Sequence, residues 1–354
     1  MRMHIVLVGV NHRSSPIEVR ERLAFRQDQL PAALACLRRE IGLREAAILS
    51  TCNRVEIYGG VPELDGTVQR LSQFLSDHAR MDLRGLAEQL YSFTEPESVQ
   101  HLFAVAGGLD SMVLGEHEIL QQVKAAYEWA REHGATGKLL NGLFQRALNA
   151  GKTVRTRTAL GAGCRSIGAV AVELAGKIFG DLRQASVLLV GAGEIGELTL
   201  ARLAERGVRR LRIMNRSMER AAQLAARYGV ASAPLDALEA QMAEADIIIS
   251  SISAPEALIT RAQLAAAMPR RHRRALCVID LGVPRNVEPS VGELENIFLF
   301  NIDDLQGLVD RSAREREHAV RESRLIIEQK VDRFLAWWRE DAPAPSPEAV
   351  ASRV

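Results

Sequence analysis

Cys52 stands alone among polar neighbours in the stretch STCNRVE at residues 50–56, between an apolar run ending at Leu49 and a short second run beginning at Val55. An ordinary thiol, with a pKa of about 8.5, is only a few per cent thiolate at neutral pH, so a nucleophilic cysteine needs a cation or aimed backbone donors beside it. Arg54 is a candidate for that cation. The competing reading, a small buried hydrophobe, is the commoner fate of an unbonded cysteine. Thr51, Asn53 and Arg54 argue against an apolar site.

A second chemical signature follows the apolar run at 186–190. GAGEIG at 191–196 leaves a strand pattern and opens a helical one, which is the context that gives a GxGxxG weight. Its glycines let a pyrophosphate approach the backbone, and the helix N-terminus stabilises the charge. A further strand pattern at 212–214 ends in Asn215-Arg216-Ser217, where an NAD site usually carries an acid for the ribose 2′-hydroxyl. A guanidinium and a hydroxyl suit a 2′-phosphate instead, so NADPH is the expected cofactor; a solvated loop arginine is the alternative.

The elements that must position these groups are legible as patterns. Residues 4–10 read as a buried strand, 11–16 as a polar turn, and a helical region runs to about residue 40. Strands at 46–50 and 55–59, a helix at 67–80 and a strand at 89–93 complete the split β-α-β order of a ferredoxin-like domain, with Cys52 in a tight turn. Residues 95–179 are almost wholly helical in spacing, interrupted by Gly107-Gly108-Leu109-Asp110-Ser111 and Gly115-Glu116-His117-Glu118. Polar residues at helix ends suit a pocket lining; helix capping by Ser111 or Glu116 is the other reading. Strands at 245–251, 276–281 and 297–300 extend the second region into a doubly wound parallel sheet. DLGVPRN at 280–286 ends at the sheet edge, where it is placed to border a nicotinamide. After Asn301 one long helix is expected, with Ala313, Val320, Ile327 and Phe334 seven apart, a seam for packing on a helix of this chain or of a partner. Residues 342–354 read as a disordered tail.

The expected class is therefore α/β: a ferredoxin-like α+β catalytic and substrate domain (1–158), a Rossmann-type NADP-binding domain (159–301), a C-terminal helical segment (302–341) and the tail. With 354 residues the chain exceeds a single core. A net charge of +1 gives no case for non-specific nucleic-acid binding. No apolar run approaches the roughly 20 residues of a membrane helix, so a cytoplasmic protein is expected. Cys36, Cys52, Cys164 and Cys277 fit no zinc or redox spacing, so no metal is expected, and Cys164 is read as structural. Arg270, Arg271, Arg273 and Arg274 form a basic cluster, read as an RNA contact or a solvated loop.

Together these motifs resemble the glutamyl-tRNA reductase family. The likeness runs in order through GVNH at 9–12, STCNRVE, HLFAVAGGLDSMVLGEHEILQQVK at 101–124, GAGEIG, Asn215-Arg216 and DLGVPRNVEP at 280–289. The resemblance implies that Cys52 attacks the glutamyl ester of tRNA(Glu), giving a thioester, and that reduction by NADPH releases glutamate-1-semialdehyde for porphyrin and other tetrapyrrole biosynthesis. It implies that His101 assists in catalysis, and that Thr51, Asn53, Arg54, Ser111, Glu116, His117, Glu118 and Gln122 hold the glutamyl group, with Arg54 as a clamp on its γ-carboxylate. The cofactor residues it implies are Gly191, Ala192, Gly193, Glu194, Ile195, Gly196, Asn215, Arg216 and Ser217. A homodimer is implied, with hand-over of the aldehyde to glutamate-1-semialdehyde aminomutase and a hinge around residues 158–166. Two departures stand out: Glu118 occupies a position where the family commonly has Gln, and the segment after Asn301 is shorter than the family's helical dimerisation domain. The rivals are a reductase of a free acyl derivative, which would turn over without tRNA, and a dinucleotide-responsive RNA-binding protein, which would tolerate Cys52→Ser.

Overall fold

The computed structural model describes residues 3–116, 118–161, 166–252, 254, 256–271, 274–305 and 317–340. His117, Cys164, Arg273, Ala313 and the expected tail lie outside the described residues, as do residues 162–165 of the expected hinge. The chain divides into two compact units: Met1–Ser15, Phe25–Ala162 and Arg316–Val354 form one, Pro16–Ala24 and Gly163–Glu315 the other.

The first unit is built on strands β1 (His4–Asn11), β2 (Glu45–Ser50), β3 (Arg54–Val61) and β4 (Tyr91–Thr94), in the antiparallel order β2-β3-β1-β4. This is the ferredoxin-like order expected from the patterns. Every residue of β3 is buried, so both faces of the sheet are covered. The expected single helical region up to residue 40 is two helices, α1 (Ile17–Leu23) and α2 (Leu30–Arg39), and α1 groups with the second unit. Helices α3 (Thr67–Ala79) and α4 (Leu83–Ala87) follow, and then a helical layer of α5 (Glu97–Ala106), α6 (Glu118–Glu132) and α7 (Lys138–Arg157).

In the second unit, α8 (Ile167–Phe179) starts on a Ser166 cap whose hydroxyl accepts from the Ala169 N–H. The sheet comprises β5 (Ser186–Val190), β6 (Arg210–Asn215), β7 (Ala231–Pro234), β8 (Ile247–Ser250), β9 (Leu276–Asp280) and β10 (Ile297–Asn301). All pairings are parallel, in the order β10-β9-β8-β5-β6-β7. Its helices are α9 (Glu194–Glu205), α10 (Met218–Tyr228), α11 (Leu238–Glu244) and α12 (Arg261–Ala267). Reversal of strand order at β5 is the doubly wound arrangement, whose ligand crevice lies at the strands' C-terminal ends. α1 is bound within this unit by Arg20, fully buried against Asp303, and by Arg285, which pairs with Glu18 at 2.9 Å and Glu21 at 2.8 Å.

The last helix, α13 (Glu317–Glu340), returns to the first unit and packs on α5 and α7. Ala319, Ser323, Ile327, Val331 and Phe334 form its buried stripe. Two members of the seven-residue seam, Ile327 and Phe334, are thus covered by this chain's own helices. Phe334 lies 6.1 Å from Phe103 between ring centroids, and a Cβ on Gly142 would come within 2.4 Å of Trp337.

Candidate active site

The turn that joins β2 to β3 presents Cys52, half-buried, at its tip. Thr51 sets the geometry: its hydroxyl accepts from the Asn53 and Arg54 N–H groups, each at 3.1 Å, and its own N–H donates to the Arg54 carbonyl at 2.8 Å. The Asn53 carbonyl in turn accepts from the His12 N–H at 2.9 Å, tying the turn to the end of β1. Cys52 thus sits in a polar, hydrogen-bonded turn rather than in packed hydrocarbon. Cys277 is the contrast, fully buried in β9, where desolvation pushes its thiol up to about 12.

The strand that leaves the turn carries a buried ionic network that the sequence does not announce. Alternate residues Arg54, Glu56 and Tyr58 of β3 share one face of the sheet. Glu56 Oε1 accepts from Arg54 at 2.7 Å, from the Tyr91 hydroxyl at 2.6 Å and from His101 Nε2 at 2.7 Å, while Oε2 accepts from the Tyr58 hydroxyl at 2.6 Å. Burial alone would raise the Glu56 carboxyl. Arg54, then His101 and Tyr58, outweigh it and hold the group well below the usual carboxylate range. Burial likewise opposes the charge on Arg54, and Glu56 with Asp110 more than restores it. Both tyrosines are pushed well up, first by burial and then by Glu56. A carboxylate that only accepts requires the hydrogen on Nε2 of His101, so Nδ1 is the ring nitrogen turned away from Glu56.

Asp110 closes the other side. Its Oδ2 accepts from both terminal nitrogens of Arg54 at 3.1 Å, its carbonyl accepts a further Arg54 bond, and Oδ1 accepts from Arg13 at 3.0 Å. The loop that carries it folds back sharply: Gly108 and Gly115 have positive φ, and the Gly115 N–H donates to the Gly108 carbonyl at 2.8 Å. A Cβ on Gly115 would meet the Leu160 carbonyl at 2.3 Å, so only glycine fits there. Arg54, 1% exposed, is therefore engaged by this chain's own carboxylates, where the resemblance implies a clamp on substrate.

Of the other implied substrate residues, Ser111 is 3% exposed and its hydroxyl has no hydrogen-bond partner among the described residues, which sets aside the capping reading for Ser111. Glu116 and Glu118 are buried at the start of α6, and Gln122 follows half-buried one turn on. The chemistry does not coincide with a groove found on another part of this unit. That groove, about 710 Å³, is lined by Arg38, Arg39 and Arg44 at the end of β2 remote from Cys52.

In the second unit the three loop glycines have three different physical reasons. Gly191 has φ +128°, and a Cβ there would lie 2.6 Å from the Ser251 hydroxyl. On Gly196 a Cβ would lie 2.3 Å from the Gly191 carbonyl. At Gly193, which caps α9, a Cβ would meet nothing within 4 Å. Open space at the middle glycine, over a helix N-terminus, fits a dinucleotide pyrophosphate. Asn215 shapes the loop, its side-chain oxygen accepting from the Ala192 N–H at 3.3 Å. Ser217 caps α10 by accepting from the Arg220 N–H, and Arg216 beside it is exposed. Next to the loop, Asp280 accepts from the Gly282, Asn286 and Val287 N–H groups; burial pushes its carboxyl up to about 6 against those bonds. In the basic cluster, Arg271 is buried on the Met242, Ala243, Ala245 and Ala275 carbonyls, and Arg274 pairs with Asp246 at 2.7 Å, so both are structural.

Comparison with known proteins matches residues 8–158 to the family described as glutamyl-tRNA(Glu) reductase, N-terminal domain, and residues 173–308 to shikimate / quinate 5-dehydrogenase. Over 335 residues the chain is 40% identical to the glutamyl-tRNA reductase of Desulfitobacterium hafniense, covering 95% of this chain and 76% of that one. The Xanthomonas axonopodis pv. citri enzyme of the same name is 44% identical over 333 residues, covering 94% and 76%. Among solved structures, glutamyl-tRNA reductase from Methanopyrus kandleri superposes with a TM-score of 0.52 at 33% identity, covering 95% of this chain and 80% of that one. Among the described residues no helix is long and apolar enough to cross a membrane.

Proposed function

This chain belongs to the glutamyl-tRNA reductase family, oxidoreductases of the first step of tetrapyrrole biosynthesis, and on that premise we propose that its reaction runs through a thioester on Cys52. The thiolate attacks the ester carbonyl that joins glutamate to the tRNA 3′ end, and the ribose oxygen leaves with a proton. A thioester carbonyl is less resonance-stabilised than an ester, and thiolate is a good leaving group, so the captured acyl group is primed for reduction to the aldehyde. His101, with Nδ1 turned away from Glu56, is the group proposed to move a proton at the reacting oxygen. Thr51, Asn53, Arg54, Ser111, Glu116, Glu118 and Gln122 are proposed to surround the glutamyl group. Arg54 acts there through Asp110 unless substrate takes over that carboxylate's place.

A nicotinamide dinucleotide held over Gly193 and the start of α9 supplies the hydride. NADPH is proposed rather than NADH because Arg216 stands exposed where an acid would bond a 2′-hydroxyl. Residues 1–158 would carry substrate chemistry and 159–301 the cofactor. Residues 302–341 are proposed to form a homodimer through the outward side of α13, where Leu325 is 59% exposed, since Ile327 and Phe334 are already covered. A cytoplasmic setting and direct transfer of the reactive aldehyde to an aminomutase complete the proposal.

The observation that carries the reading is a half-buried cysteine in a polar, hydrogen-bonded turn, two residues before the arginine that heads the Arg54–Glu56–His101 network. The test is mass spectrometry after mixing with charged glutamyl-tRNA in the absence of dinucleotide. A glutamyl adduct on the Cys52 peptide, lost in Cys52→Ser, is expected; unmodified Cys52 in enzyme that turns over once dinucleotide is added would overturn it.

A further inference from the structure

The groove of about 710 Å³ in the first unit is lined by Arg38 and Arg39 from the last turn of α2, by Arg44 just before β2 and by His133 just after α6, with Leu34 and Leu43 adding apolar surface. Its walls are tied together. Arg38 donates to the Gly134 carbonyl at 2.8 Å, the Ala46 N–H donates to the Ala135 carbonyl at 2.8 Å, and the His133 ring stacks on Trp129 with centroids 5.0 Å apart. None of the lining residues is acidic. Glu45, next to Arg44, is committed elsewhere: it accepts from the Leu139 and Leu140 N–H groups at the start of α7, at 3.2 and 2.7 Å. Arg39 and Arg44 are exposed, and among the described residues neither has a carboxylate partner. A helix C-terminus favours a nearby cation, which accounts for Arg38 and Arg39 taken singly. It does not account for Arg44, which precedes a strand, or for three guanidiniums on one concavity.

The chain's net charge is only +1, so a polyanionic substrate must be met by a local excess of cations. Two arginines of the basic cluster near residue 270, Arg271 and Arg274, are already held inside the second unit. The chain runs from Arg44 along β2 to Cys52, a reach of about 25 Å at the rise of a strand. That is roughly seven nucleotides of stacked strand, so an aminoacyl ester placed at the thiol leaves the acceptor arm behind it within reach of the groove. An open groove of this size with three separate guanidiniums suits a row of phosphates rather than one. We infer that it holds the sugar-phosphate backbone of the tRNA acceptor arm, with Arg38, Arg39 and Arg44 on phosphates and the apolar lining against ribose. This inference rests on the glutamyl-tRNA reading and adds to it the surface that receives the nucleic acid.

The test is the affinity of the full-length chain for deacylated tRNA(Glu), measured by fluorescence anisotropy across a salt series. The variant is Arg39→Gln with Arg44→Gln, which spares the Arg38 bond to Gly134. It is expected to raise Kd about fivefold or more at low salt and to lower the slope of log Kd against log salt by about 1.5, with melting temperature and dinucleotide affinity unmoved. The control removes two exposed arginines from the second unit, Arg209→Gln with Arg210→Gln, and is expected to keep Kd within about twofold of the parent. Parental affinity and slope in the Arg39/Arg44 variant would overturn the inference. An equal loss in the control would overturn it too, by reducing the effect to net charge. So would full displacement of tRNA by millimolar inorganic phosphate at constant ionic strength, which would assign the groove to a small anion. Binding of deacylated tRNA needs no adduct on Cys52, so failure of the thioester reading appears in the mass spectrum and failure of this one in the binding curve.

Discussion

His101 Nε2 lies 2.7 Å from Glu56 Oε1, and the same carboxylate oxygen holds Arg54 at 2.7 Å. One buried acid therefore fixes the tautomer of the proposed proton-transfer group and anchors the strand that leads out of the cysteine turn. Because Glu56 is fully buried with four donors aimed at it, it has no water to fall back on when a donor is lost.

Glu56→Gln keeps the shape but puts an amide N–H₂ where Arg54, Tyr58, Tyr91 and His101 all donate to the carboxylate. Leaving half of a buried ion pair uncompensated costs about 3–5 kcal/mol, and loss of an oriented proton-transfer group costs about 10²–10⁴ in rate. The expected result is a large drop in both melting temperature and kcat, with Tyr58→Phe milder in stability. The pH dependence has a definite sign. The folded-state value of Glu56 is depressed below its ordinary 4.5, so its contribution is present above that pH and is lost as pH falls through the lower folded-state value. Melting temperature measured from pH 6 down to pH 3 should fall less steeply in Glu56→Gln than in the parent. Parallel acid limbs would show that Glu56 is not the group responsible.

Much of this architecture is visible in the sequence where the cause is local. A strand that runs into GAGEIG and then a helical pattern encodes its own loop, and β5 and α9 lie where that pattern puts them. The split β-α-β order of the first unit is equally legible, because each strand carries its own apolar run. What escapes is non-local or short. Asp110 reaches Arg54 across 56 residues of chain, through a loop whose reversal depends on Gly108 and Gly115. Glu56 could have been suspected, since a charge at an inward position of a strand must find a partner. Four- and five-residue elements such as β7 and α4 carry too few residues for periodicity to register. On α13 the spacing of Ile327 and Phe334 predicts a buried stripe, yet not which surface covers it.

The glycine-rich loop separates folding from binding. Gly193 has φ −79°, ordinary for any residue, and room for a Cβ, so Gly193→Ala should melt at or slightly above the parent temperature. The added methyl occupies space proposed for the pyrophosphate, so dinucleotide affinity should fall at least tenfold. Gly196→Ala forces a Cβ against the Gly191 carbonyl and should lose about 1–3 kcal/mol in stability. Thermal melts paired with titration of dinucleotide fluorescence read both effects. Unchanged affinity in a well-folded Gly193→Ala protein would remove this loop from the cofactor site.

The proposed choice of NADPH rests on Arg216. It follows β6 directly, is exposed, and among the described residues has no carboxylate partner, so its charge is available to a ligand. A charge-assisted hydrogen bond to a phosphate contributes about 1.5–3 kcal/mol, or roughly 10- to 150-fold in affinity. Arg216→Gln should therefore weaken NADPH by about that factor and leave NADH nearly unaffected, since NADH lacks the 2′-phosphate the guanidinium would meet. Ser217 offers a control: its hydroxyl already caps α10, so Ser217→Ala should lower stability by about 1 kcal/mol whichever nucleotide binds. If Arg216→Gln weakens both nucleotides equally, the residue contributes general attraction for phosphate, and the proposed preference for NADPH loses its support.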